Sequence, residues 1–458
     1  MSFWHGFVRQ DKKDSLSQNM MHSYRHSSGF TVAVFPKPSF RRRYVSFIIP
    51  AGALMTRFQP GYDSAADAPE PPVVEVPAGT AHLVEHLVFA RESGGGLFRR
   101  LAALGAEADA WTGLNETVFS FVMSEEANFL PALDLVWQAI LNLDGSAVDL
   151  ERELQVIHAE IDLYGEVPDT VAWRELSRSL FLRPGLREDI LGSHRELARV
   201  GPQEIDAWYR SVYHPAWMSL VLVGDFNEPE LGSLLRRLGA SVTAARPWWA
   251  PRNLAADEPE DVLRAQSDLE LDVENPFFVI GFKDPGVNAC HPLCGADWLL
   301  RQMMGSLYLE TVLGESSPLH QELSDGDVIN DSFGAQYVCS RDHAYVILSG
   351  EAADPGQAAE TVTCRLRERI RTDGIDVHRF SVQTKAAAGD FLRSLDTVES
   401  FGSMATMARL SHMDLFDYAS VFNRVSPQQA ESAMAFLLDE AKRSTVRVTR
   451  RSKRGACS

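Results

Sequence analysis

Gly79-Thr-Ala-His-Leu-Val-Glu-His-Leu-Val-Phe89 places His82, Glu85 and His86 in an otherwise apolar run. If Thr80 or Gly79 caps a helix here, His82 and His86 stand one turn apart on the same face, as two ligands of a single metal ion require. Glu85 borders that face, where a base acting on an activated water belongs. Zinc held by three protein ligands keeps a fourth position for water and lowers that water's pKa to about 7. The competing reading is a buried helix whose histidines and glutamate satisfy internal hydrogen bonds. His-x-x-Glu-His arises by chance on the order of a few times per hundred chains of this kind, so the surroundings have to decide.

A third ligand must come from elsewhere. Asp149 to Tyr164 (DLERELQVIHAEIDLY) and Asn128 to Leu143 (NFLPALDLVWQAILNL) carry apolar residues at three- and four-residue steps and read as helices. On the first of them Glu153 and Glu160 lie two turns apart and share a face. His158 is rotated by about 200° from Glu160 and should point away from it.

Strand-like runs flank these helices: GFTVAVF (29–35), YVSFII (44–49), TVFSFVM (117–123) and SLVLV (219–223). The second half repeats the order with FFVIGF (277–282), AYVILS (344–349), helical runs and TVRV (445–448). Roughly 100 residues separate the middle strand from the closing strand in each half, which suggests an internal duplication. The expected fold is therefore α/β in content (α+β), with two homologous domains, each a mainly antiparallel sheet packed with several helices. The expected division is a metal-binding domain over 1–245, a linker over 246–270 rich in Trp, Pro and acidic residues, and a related domain over 271–458. Gln59 to Pro77 reads as a surface insertion, and Arg450 to Ser458 as a solvated basic tail.

Composition narrows the function. With 62 acidic against 44 basic side chains the formal charge is -18, a field that repels nucleic acid and anionic lipid. The mean hydropathy of -0.15 is ordinary for a water-soluble chain, no run approaches the roughly 18 apolar residues of a membrane span, and the charged opening lacks the apolar core of a signal peptide. Five scattered cysteines argue against a disulfide framework, and Cys290-His-Pro-Leu-Cys294 alone is a weak metal signal. A cytoplasmic location is expected.

His82-Leu-Val-Glu85-His86, followed by Glu153-x6-Glu160, resembles the inverted zinc motif of the pitrilysin, insulysin and mitochondrial processing peptidase family. Gly105-Ala-Glu-Ala-Asp109-Ala110-Trp111-Thr112 is similar to that family's Gly-Ala-x-x-Asn-Ala-x-Thr substrate strand, with Asp109 in place of Asn, and Tyr213-His-Pro215 to another recurrent element. The resemblance implies one Zn2+ per chain held by His82, His86 and Glu160, Glu85 as general base, and Glu153 as a carboxylate supporting the ligands. It also implies that a peptide substrate adds as a β-strand along Asp109, Ala110, Trp111 and Thr112. Trp111 reads equally well as core.

The second half departs from the family. Where members that bind peptide opposite the zinc carry an Arg and, further on, a Tyr, this chain has Pro318 within Ser316-Ser-Pro-Leu-His-Gln-Glu-Leu323, and Asp331 near the Tyr position. The resemblance thus implies a zinc endopeptidase subunit that needs a homologous partner supplying the Arg/Tyr pair, a heterodimer in preference to a homodimer. The alternative it leaves is a non-catalytic peptide-binding or assembly subunit that retains a zinc site.

Overall fold

The computed structural model describes residues 6–13, 20–38, 40–60, 71–90, 96–143, 150–242, 251–254, 258–290 and 292–451. In chain order its strands are β1 (Phe7–Lys13), β2 (Met20–His26), β3 (Thr31–Pro36), β4 (Arg43–Ile49), β5 (Arg57–Gln59), β6 (Val74–Glu75), β7 (Ala106–Thr112) and β8 (Thr117–Met123). Then follow β9 (Ser219–Gly224), β10 (Arg252–Asn253), β11 (Gln266–Leu271), β12 (Phe277–Lys283), β13 (Gly334–Cys339), β14 (Ala344–Glu351) and β15 (Arg443–Arg450). They form a seven-stranded sheet, β1-β2-β3-β9-β4-β8-β7, a five-stranded sheet, β11-β15-β12-β14-β13, and a small sheet, β10-β5-β6.

The duplicated order expected from the sequence reappears as topology. In each half the first strand pairs in parallel with the last (Thr31 opposite Ser219; Gln266 opposite Thr445), and every other pairing is antiparallel. The last strand then meets the second, the second the fourth and the fourth the third, so β7 and β13 occupy equivalent edges. The first sheet carries β1 and β2 in addition.

The central strands of each sheet are buried on both faces, and one cover in each case comes from the other half. One face of the first sheet packs on its own helices, with Trp137 stacked between Phe30 and Phe47. The opposite face, through Phe35, Tyr44, Ile48 and Val221, meets the Val398–Leu410 helix of the second half. Reciprocally, the Pro168–Leu180 helix of the first half lays Ala172, Leu176 and Leu180 on Val279, Ile347, Val446 and Val448 of the second sheet. The close approaches need glycine: a Cβ on Gly402 would lie 2.3 Å from the Tyr44 ring, and one on Gly281 2.8 Å from a Leu176 methyl. The halves therefore clasp one another through exchanged helices.

β11 falls almost wholly inside the stretch 246–270 expected as linker. Its sequence, QSDLEL, shows little apolar patterning, but the pairing with β15 makes it part of the second sheet, which begins at Gln266 rather than after 270. Parts of the expected linker (243–250 and 255–257), of the expected insertion (61–70) and of the basic tail (452–458), with His291, lie outside the described residues. Among the described residues no helix is long and apolar enough to cross a membrane.

Candidate metal centre

The GTAHLVEHLVF stretch forms a helix, Thr80–Ala90. Gly79 has φ +89°, its carbonyl accepts the Leu83 N–H at 2.9 Å, and Thr80 Oγ1 donates to the Pro77 carbonyl at 2.7 Å. A Cβ on Gly79 would stand 2.5 Å from the Leu191 carbonyl oxygen, and one on Gly192 (φ +75°) 2.5 Å from that of Ala78. Two glycines with left-handed backbones thus let the Asp189–Gly192 loop close on the start of the helix, a conformation other residues adopt only with strain. Leu83, Val84 and Val88 are fully buried and fix the helix against the sheet.

The Leu150–Gly165 helix runs alongside and turns one face to these histidines. His86 Nδ1 donates to Glu153 Oε2 at 3.2 Å. Glu160 Oε2 lies 3.8 Å from His86 Nε2 and 3.9 Å from His82 Nε2. Ligand atoms of His82, His86 and Glu160 all fall within 4.8 Å of one another. At such separations the imidazoles and the Glu160 carboxylate do not hydrogen-bond. They are close enough to share one ion, and two imidazoles with one carboxylate form a donor set that suits zinc with a position left open. The His86–Glu153 bond places the imidazole proton on Nδ1 and leaves Nε2 as the ligating nitrogen. His82 Nδ1 is buried without a hydrogen-bond partner among the described residues, so packing alone orients that ring.

Charge states follow burial. Desolvation, aided by His86, holds His82 down at about 3. Burial also opposes charge on His86, but the hydrogen bond it donates to Glu153 and the carboxylates of Glu85, Glu153 and Glu160 outweigh it and raise its pKa. Glu85 is pushed up by burial, against the Thr112 hydrogen bond and His86. Glu160 is raised chiefly by burial.

Glu85, 8% exposed, accepts a hydrogen bond from Thr112 Oγ1 at 2.9 Å. Thr112 closes β7, the terminal strand of its sheet, so the edge that carries Asp109 to Thr112 runs up to the glutamate. Along β7 the side chains alternate. Ala108 and Ala110 face the helix side, and Trp111 packs on the apolar cluster shared with the second half. Asp109 is exposed, and its charge is felt at Glu85.

His158 points away from Glu160, as its rotation requires. Its Nδ1 lies 2.7 Å from His194 Nδ1, and His194 Nε2 is 2.8 Å from Asp162. The sequence reading missed Asp189, whose charge reaches both Glu160 and His82 and which is held by Arg174 at 2.7 Å. No helical period links Asp189 to the motif; the only local signal was Gly192 beside it. In the second half Pro318 opens a short helix capped by Ser317, and Asp331 is exposed.

Comparison with known proteins agrees with this architecture. Residues 75–193 match the family described as Insulinase (Peptidase family M16), and residues 199–381 match the Peptidase M16 inactive domain. The chain is 24% identical over 434 residues to the uncharacterized zinc protease YmfH of Bacillus subtilis, covering 93% of this chain and 96% of that protein. The crystal structure of a putative M16-like peptidase from Alicyclobacillus acidocaldarius superposes with a TM-score of 0.82 at 22% identity, covering 98% of this chain and 99% of that one. A protease from Helicobacter pylori gives a TM-score of 0.76 at 14% identity, covering 97% and 99%. With a catalytic-type domain in the first half, an inactive-type domain in the second and a candidate metal site where the first expects it, the chain belongs to the insulinase family of zinc proteases, peptidase family M16.

Proposed function

We propose that this chain is the catalytic subunit of a zinc endopeptidase that cleaves unfolded or precursor peptides inside a closed chamber. His82, His86 and Glu160 hold one Zn2+ per chain, and the convergence of their ligand atoms carries this reading. Zinc bound there supplies Lewis acidity toward the scissile carbonyl and toward water. Glu85 takes a proton from the attacking water on one carboxylate oxygen and returns it to the leaving amine, while Thr112 holds the other oxygen. Glu153 orients His86.

The peptide adds to the open edge of β7 and is gripped mainly by the backbone of Asp109, Ala110, Trp111 and Thr112. Because β7 ends at the residue that holds Glu85, a strand laid along it passes the base. The packing of Trp111 against the second half gives its side chain a structural task, leaving its backbone for substrate. In this reading residues 1–245 form the catalytic domain, and 271–458, extended by β11, form a scaffold that lacks an Arg/Tyr pair at Pro318 and Asp331. A homologous subunit supplies that pair. A reducing cytoplasmic setting suits Cys290, Cys294, Cys339 and Cys364, which are all free thiols.

Hydrolysis of internally quenched, unstructured peptides by the chain alone, and mixed with a homologue carrying the Arg/Tyr pair, tests the assignment. Glu85→Gln should abolish turnover in the mixture, and the mixture should exceed the lone chain by at least tenfold. Equal activity with and without the homologue would remove the partner requirement.

A further inference from the structure

A cavity of about 680 Å³ lies between the two halves, where one end of the first sheet meets the C-terminal end of the Val398–Leu410 helix. It is separate from the His82, His86 and Glu160 cluster and shares no lining residue with it. Three guanidinium groups, Arg25, Arg341 and Arg409, and the His412 imidazole line it, against the single carboxylate of Asp414.

The cations are poorly satisfied. Arg409 Nη2 donates to Thr31 Oγ1 at 2.8 Å, and Arg341 Nη1 to His412 Nε2 at 3.1 Å. Among the described residues Arg341 Nε, which is buried, has no hydrogen-bond partner. Among the described residues no carboxylate forms an ion pair with any of the three arginines. Burial lowers the pKa of Arg409, and Arg25 adds to this against the opposing charge of Asp414. Unneutralised guanidinium groups partly withdrawn from water are costly unless an anion joins them. The wall also carries the hydroxyls of Thr31 and Ser219, and its apolar part is formed by residues that include Phe35, Met55, Trp217, Met218, Met413 and Leu415.

The second clasp shows what such a place accepts. Where the Pro168–Leu180 helix ends against the second sheet, the carboxylate of Glu258 takes the N–H groups of Leu182 and Arg183 at 2.8 and 2.9 Å and the Lys283 ammonium at 2.6 Å. Lys283 closes β12 as Pro50, which lines the cavity, follows the end of β4, its counterpart strand. In one clasp the chain's own carboxylate fills the basic slot; in the other, arginines face a cavity.

From these observations we infer that the cavity binds a small amphiphilic carboxylate of the size of a medium-chain fatty acid, its head on Arg341 and Arg409 and its chain against Met55, Trp217 and Met413. The volume falls within the range of about 300–1,000 Å³ usual for small-molecule sites. A ligand there touches both halves and therefore stabilises their clasp by mass action.

Isothermal titration of the full chain with decanoate, decanol and inorganic phosphate tests this. Decanoate should bind at one site and raise the thermal midpoint. Arg341→Gln should weaken it at least tenfold, Arg341→Lys clearly less, and decanol and phosphate should each bind at least tenfold more weakly than decanoate. Arg25→Gln, at the exposed rim, provides a second variant and should weaken decanoate severalfold. Absence of decanoate binding, unchanged affinity in both Gln variants, or phosphate or decanol equalling decanoate would overturn the inference.

Discussion

Thr112 Oγ1 donates a 2.9 Å hydrogen bond to Glu85 Oε2, joining the last residue of the edge strand β7 to the carboxylate beside the two histidines. The bond links the surface proposed to receive the peptide to the group proposed to move the proton. Thr112→Val keeps the shape and the backbone of β7 but frees the glutamate. It should lower kcat about ten- to a hundredfold, the scale expected for a misplaced catalytic group, with KM and zinc content nearly unchanged. Thr112→Ser should restore most of the rate. Steady-state kinetics on a quenched peptide would show this, and a loss confined to KM would assign Thr112 to substrate binding alone.

Glu153 acts one step further back. It accepts from His86 Nδ1 and is only 7% exposed, so its removal leaves the ring free to turn. Glu153→Ala should weaken zinc binding about ten- to a hundredfold, the usual effect of losing a group that orients a ligand. Competition with a chelator measures it, and activity should return when zinc is added in excess. Unaltered zinc affinity would make Glu153 a plain structural carboxylate.

The clasp between the halves makes an asymmetric prediction. At Gly402 an added methyl meets the Tyr44 ring, which is fixed in the core, whereas at Gly281 it meets flexible leucine methyls at 2.8 and 2.9 Å. Gly402→Ala should destabilise by about 1–3 kcal/mol through overpacking, despite alanine's better helix propensity. Gly281→Ala should cost clearly less. Urea unfolding of the two variants gives the comparison, and equal midpoints would argue against a rigid seam at Tyr44.

Acid stability should report on Asp342. Its carboxylate accepts from Arg183 at 2.7 Å and from His343 Nδ1 at 2.9 Å. Burial opposes its charge, but the His343 and Arg183 interactions outweigh it and hold its pKa below the ordinary range. A carboxyl depressed in the folded state contributes stability above its unfolded pKa of about 3.9 and loses it as the pH falls through the folded value. Asp342→Asn should therefore cost most at pH 7, about 3 kcal/mol because Arg183 is left buried without its partner. The gap from wild type should narrow below about pH 4. A gap that stays constant from pH 7 to pH 3 would contradict this.

What the sequence revealed follows from where the information is local. The central strands β3, β4, β8, β9, β12 and β14 are buried on both faces and so read as continuous apolar runs. The edge or near-edge strands β7 (AEADAWT), β11 (QSDLEL) and β13 (GAQYVC) carry polar, half-exposed faces that give no such run. His82, Glu85 and His86 were legible because one helix turn sets their relation, and Glu153 and Glu160 because two turns set theirs. Asp189, the Thr112–Glu85 bond and the exchange of helices between sheets depend on contacts between distant segments, which helical and strand periods do not encode.

The central claim is that His82, His86 and Glu160 form the metal site and that Glu85 stands beside it without being a ligand. Zinc content per chain, measured by mass spectrometry on the wild type, Glu85→Gln and Glu160→Gln after dialysis at sub-micromolar free zinc, tests it most directly. The wild type should retain one zinc, Glu85→Gln one and Glu160→Gln a small fraction. A full complement of zinc in Glu160→Gln, or its loss in Glu85→Gln, would contradict it.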